Sequence, residues 1–65
     1  MNATDAQLLY LDRAVGVFLA RLEEGYRPDN ARAQACAYLR RKTGWAHPLA
    51  QGALDSAIQD SQTAG

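Results

Sequence analysis

The stretch Leu8-Leu-Tyr-Leu-Asp-Arg-Ala-Val-Gly-Val-Phe-Leu-Ala-Arg-Leu22 decides the fold. Leu8, Leu11, Val15, Phe18 and Leu22 recur at spacings of three and four. With about 3.6 residues per turn, they fall on one stripe of an α-helix. Leu19 widens the stripe on one side, and Tyr10, Ala14 and Val17 widen it on the other. An apolar arc this broad exceeds what packing on one neighbour needs. The helix is therefore expected to touch two other helices or a partner chain.

Outward from this helix the chain is punctuated clearly. Thr4 and Gln7 have the spacing of a capping box, and Asp5 suits the first turn beside the helix dipole. Gly25 is a natural left-handed stop, so the first helix is expected over residues 4–24. Tyr26-Arg-Pro-Asp-Asn30 is a turn, and Pro28 opens a second helix expected over residues 28–42. Its inward stripe is Ala31, Ala35, Tyr38 and Leu39, with Cys36 at the edge. Thr43-Gly44 ends it, Trp45 follows as a cap on the bundle end, and Pro48 starts a third helix expected over residues 48–60. Ala50, Ala53, Leu54, Ala57 and Ile58 form the stripe of that helix, and residues 61–65 read as a frayed tail. The expected fold is one all-α domain over residues 1–65, a compact three-helix bundle with a long first helix.

Composition narrows the function classes. The chain has 65 residues. A domain that short buries only about 60% of its unfolded surface. Cys36 and His47 are the only cysteine and the only histidine, so neither an internal disulfide nor a zinc site has enough ligands. No metal and no cofactor is expected. No apolar run approaches the roughly 18 residues of a membrane span. The N-terminus has no positive charge ahead of an apolar run, so a cytoplasmic protein with no membrane partner is expected. Glu24-Gly25-Tyr26 followed by Ala31 is similar to the first turn of ubiquitin-associated domains, but both of the first two helices are too long for that pattern, and no family is assigned.

No catalytic set stands out. The acids Asp5, Asp12, Glu23, Glu24, Asp29, Asp55 and Asp60 fall on polar faces or turns. General acid–base work needs titratable groups paired in a pocket. Cys36 lies eleven residues from His47 and reads as a small packing residue rather than a nucleophile. The chain is therefore expected not to be an enzyme.

Charge is the informative feature. The formal net charge of zero hides a strong segregation. Residues 27–42 carry Arg27, Arg32, Arg40, Arg41 and Lys42 against Asp29 alone, while residues 1–26 and 43–65 are each net acidic. A face of Arg32, Arg40, Arg41 and Lys42 is expected either to be available to carboxylates or phosphates or to be a solvated face that pairs with acids of the first and third helices. Tyr10 and Val17, with Leu9 behind them, are expected to form an exposed apolar second patch on the first helix. Together these residues point to a small regulatory or interaction protein that binds a protein partner with an acidic surface. Inhibitors and adaptors, including those carried by phages and mobile elements, belong to this size class.

The alternative is a helix-turn-helix-like DNA- or RNA-binding protein, with Gln51, Ser56 and Gln59 of the third helix at base edges. Against it, the third helix has no Lys or Arg, and phosphate contacts usually dominate affinity. Leu9, Gly16 and Ala20 also form a strip of mostly small residues on which two copies of the first helix could pack as a homodimer.

Overall fold

The computed structural model describes residues 4–63. Three α-helices follow in order: α1 over Asp5–Glu23, α2 over Pro28–Thr43 and α3 over His47–Thr63. No strand occurs among the described residues. The protein is a three-helix bundle.

The helix ends form where local chemistry dictates. At the start of α1, the Gln7 backbone N–H donates to the Thr4 hydroxyl at 3.1 Å, and the Thr4 N–H donates back to Gln7 Oε1 at 2.9 Å. Two otherwise orphaned donors are satisfied together. At its end, Gly25 takes a φ of 98°, and the N–H groups of Gly25 and Tyr26 donate to the carbonyls of Leu22 and Arg21. This double closure needs a residue tolerant of left-handed backbone. Helix α2 ends in the simpler form: Gly44, at φ 77°, donates its N–H to the Arg40 carbonyl at 2.8 Å. The Thr43 hydroxyl donates to the Leu39 carbonyl and accepts from the Trp45 N–H, which fixes the entry into the turn.

Helix α3 differs from expectation at both ends. It begins at His47, one residue early, because Ala50 N–H already donates to the Ala46 carbonyl. Pro48 thus occupies the second position, where a missing N–H still costs nothing. The helix also continues to Thr63 instead of fraying from residue 61. Ala57, Asp60 and Ser61 line a groove with Leu8, Leu11, Asp12 and Val15, so α1 lies beside its last turns. Residues 64 and 65 of the expected tail lie outside the described residues.

The core is built from small side chains. Ala14, Val15 and Phe18 of α1 meet Ala31, Ala35, Cys36 and Leu39 of α2 and Ala50, Leu54 and Ile58 of α3. Four of these ten are alanines, which bring the backbones close, and Leu39 and Leu54 are the largest fully buried side chains. Trp45 is half-buried against this core at the turn.

The buried line of α1 is rotated from the expected stripe. Val15 and Phe18 are buried, Leu11 and Leu22 are half-buried, and Leu8 is 51% exposed, while Ala14 is fully buried. The rotation follows from how α1 and α2 are tied. Arg21 Nε donates to Gln34 Oε1 at 2.8 Å, Gln34 donates on to Asn30, and Arg21 pairs with Glu24 at 2.9 Å. The Arg21–Gln34 bond joins α2 to the Ala14 side of α1, and the two local bonds orient its partners. Helix α1 does touch both other helices, as its broad apolar arc requires.

Candidate interaction surface

The cations of α2 divide into two groups. Arg32, one turn into the helix, is engaged within the fold. Its guanidinium carbon lies 5.7 Å from the centre of the Phe18 ring, and its Nε faces Asp55 Oδ1 at 3.3 Å. The two facing atoms are shielded from water, although neither finds a hydrogen bond. Arg32 therefore links all three helices. It was expected on the outward cationic face, and the structure instead makes it a bridge. Pairing with an acid of the third helix was the alternative expected for this face, whereas the contact with Phe18 arises only when the helices pack.

Arg40, Arg41 and Lys42 behave otherwise. All three are exposed in the last turn of α2, and none forms an ion pair with a carboxylate among the described residues. Their charge offsets the negative end of the helix dipole. Because they are consecutive, they fan around the helix instead of lining one face. Arg41 lines a cleft between α1 and α2 of about 310 Å³, together with Val17, Arg21, Gln34, Ala37 and Tyr38.

The apolar second patch is corrected in detail. Tyr10 and Val17 are half-buried and pack against the core, so they are not the outward patch expected of them. The side of α1 that meets α2 includes both, which accounts for their burial. Val17 still reaches the surface as a wall of the cleft it shares with Arg41. The large apolar side chains left outside are Leu8, Leu9, Leu19, Tyr26 and Leu49, each between 41% and 51% exposed. Leu9, Gly16 and Ala20 face solvent, and a Cβ added at Gly16 would meet nothing within 4 Å.

A pair that sequence reasoning set aside meets between α2 and α3. Cys36 Sγ and His47 Nδ1 are 3.9 Å apart, so the cysteine does have a neighbouring histidine. The short turn after Gly44 folds α3 back along α2, and eleven residues of separation become one contact. Gln51 is exposed on α3, as its outward position in the alternative reading requires, and lines the cleft beside this pair. Ser56 and Gln59 are exposed on α3.

No group of three or more His, Cys, Asp or Glu side chains among the described residues is arranged to hold a metal ion. None of the described helices is long and apolar enough to cross a membrane. No known protein family, curated protein or solved structure matches the chain.

Proposed function

We propose that this chain is a small, cytoplasmic, non-enzymatic regulatory protein, of the inhibitor or adaptor kind, that binds a protein partner with an acidic surface. The observation that carries the reading is the junction of exposed cations and an apolar cleft at the end of α2. Arg40, Arg41 and Lys42 supply charge, and Val17, Ala37 and Tyr38 supply apolar walls beside Arg41. A partner carboxylate on Arg41, with an apolar side chain in the cleft, would combine steering with an anchor.

The second reading, a DNA- or RNA-binding protein of helix-turn-helix type, draws on the same cations. It is favoured only by their position just before the three-residue turn into α3, whose described residues carry no Lys or Arg. Reversing Arg40 and Arg41 to Glu tests the main reading. The variant should keep its helical circular dichroism and lose the partner captured by the wild type from lysate of its source cells. Capture that persists would mean that the cations only solvate the helix end. Binding of mixed duplex DNA that weakens about thirtyfold or more between 50 and 200 mM salt would transfer the same residues to the nucleic-acid reading. Self-association through Leu9, Gly16 and Ala20 is a separate proposal. Gly16→Leu should then convert a dimeric mass to a monomeric one.

A further inference from the structure

The outward face of α1 carries its charge in two rows of opposite sign. Opposite the buried line of Ala14, Val15 and Phe18, a turn of about 100° per residue sets Leu9, Gly16 and Ala20 along the middle of that face, all exposed. On one side of them lie the acids Asp5, Asp12 and Glu23, with Leu8 and Leu19 between, and all five are exposed. This is the α3 side, because Leu8 and Asp12 line the groove with α3. On the α2 side lie Arg13 and Val17, and Val17 opens into the cleft that it shares with Ala37, Tyr38 and Arg41. Helices α1 and α2 form a hairpin in which Arg21 is bonded to Gln34. Arg41, two turns beyond Gln34, thus comes level with Arg13, two turns before Arg21. Glu24, the acid on that side, is already paired with Arg21. Neither Asp12 nor Arg13 forms an ion pair among the described residues.

We infer that this face binds the same face of a second copy, the two α1 helices running parallel about a two-fold axis. The inference rests on the self-association proposed above, and the charge pattern adds the orientation, the register and the contacts. A two-fold axis along the helices turns the acidic row of each copy toward the basic row of the other. An antiparallel pair would instead set acid against acid and base against base. In the parallel pair every residue lies level with its own counterpart. Asp12 therefore meets Arg13 of the second copy, with Arg41 of that copy behind it, and symmetry makes the contact twice. Leu19 lies about 3 Å further along the axis than Val17, so it reaches the mouth of the second copy's apolar cleft. Leu9 packs on its twin. Gly16 and Ala20 let the two axes approach, and a Cβ at Gly16 would meet nothing of its own chain within 4 Å. The pairing covers Leu9 and Leu19, two of the large apolar side chains that the single chain leaves outside.

The test measures the mass of the full chain by sedimentation equilibrium over a range of concentrations at low salt. Wild type should reach twice the chain mass, and high salt should weaken the dimer. Asp12→Arg and Arg13→Asp each set like charges against one another across the axis, twice. Each alone should raise the dimer dissociation constant about tenfold or more. An equimolar mixture of the two should recover a dimer with one chain of each kind, seen by native mass spectrometry, because every contact across the axis is then an opposite pair. The double variant should dimerise with itself. Both residues are exposed, and helical circular dichroism checks each fold. Leu9→Cys should cross-link to its twin under mild oxidation, since a parallel pair brings the two positions within disulfide reach while Cys36 is buried. A wild type that stays monomeric would overturn this inference and the self-association reading together. A dimer that neither single substitution weakens would leave self-association standing and overturn this interface. A mixture that stays monomeric, or a Leu9→Cys dimer that does not cross-link, would overturn the parallel pairing.

Discussion

Arg32 in the first half of α2 and Arg40, Arg41 and Lys42 in its last turn carry the same charge, but the fold treats them differently. Arg32 lies over the Phe18 ring and faces Asp55, so its charge joins α2 to both neighbours. The three cations at the other end form no ion pair among the described residues. The difference comes from what lies opposite. The first half of α2 is flanked by α3, with Asp55 and Gln51 turned towards it. The last turn runs out beside the Gly44 turn, where α3 has only just begun. Charge in a packed region acts as structure, and charge at a helix end stays available to a partner. A block of like-charged residues in the sequence therefore says nothing by itself about how many are free.

The sharpest way to break this contrast is to disturb the packing that both halves share. Leu39 is fully buried between them. Leu39→Ala should cost about 2–5 kcal/mol. That is comparable with the whole stability of so short a domain, at roughly 0.05–0.15 kcal/mol per residue. Loss of the cooperative thermal transition is the expected result. Ala35 is also fully buried, and it sets how closely α2 approaches its neighbours. Ala35→Leu should overpack the core by about 1–3 kcal/mol, read as a lower urea midpoint. Next comes Gly44, whose φ of 77° is strained for any side chain, although a Cβ there would meet no atom within 4 Å. Gly44→Ala should therefore cost about 1–2 kcal/mol through backbone strain alone. A larger loss would mean that the turn also holds the Cys36–His47 contact in place.

These three sites also mark what the sequence made legible. Helix ends were readable because caps are local: Thr4 with Gln7, Gly25, Pro28 and Gly44 each act within a few residues. The rotation of α1 was not readable. Its apolar arc is wide enough to fit several orientations, and alanines on α2 and α3 let the helices settle where larger side chains would have forced one choice. Leu8 was thus expected inside and lies exposed, while Ala14 takes the buried position. The free cations Arg40, Arg41 and Lys42 were legible from charge segregation. Tyr10 and Val17 were misplaced because their burial depends on crossing geometry, and which of the cations would pair across the helices was left open for the same reason. The Cys36–His47 pair was considered and set aside for the same reason, since a helix hairpin converts distance along the chain into contact.

The smaller effects return to the arginines. Arg32→Ala removes a cation–ring contact of about 0.5–1 kcal/mol. It also removes a half-exposed ion pair contributing less than about 1 kcal/mol. A loss of about 1 kcal/mol in urea denaturation is expected, and it should shrink when Asp55 is replaced by Asn in the same chain. A full, undiminished loss in that background would leave the stack over Phe18 as the only contribution.

The smallest expected change in stability is at the other end of the helix. Arg40→Gln with Arg41→Gln removes two charges from the last turn, where each contributes roughly 0.3–1 kcal/mol through the helix dipole at low salt. Lys42 remains to offset the dipole, and no ion pair is broken, so the loss should sit near the bottom of that range and vanish at high salt. Partner binding should respond in the opposite proportion, falling tenfold or more for this variant and hardly at all for Arg32→Ala. Parallel denaturation and binding curves on the two variants measure this directly. If Arg32→Ala weakened binding as much as the double variant while the fold stayed intact, the distinction between a structural and an available charge would fail, and the whole length of α2 would have to be treated as the contact surface.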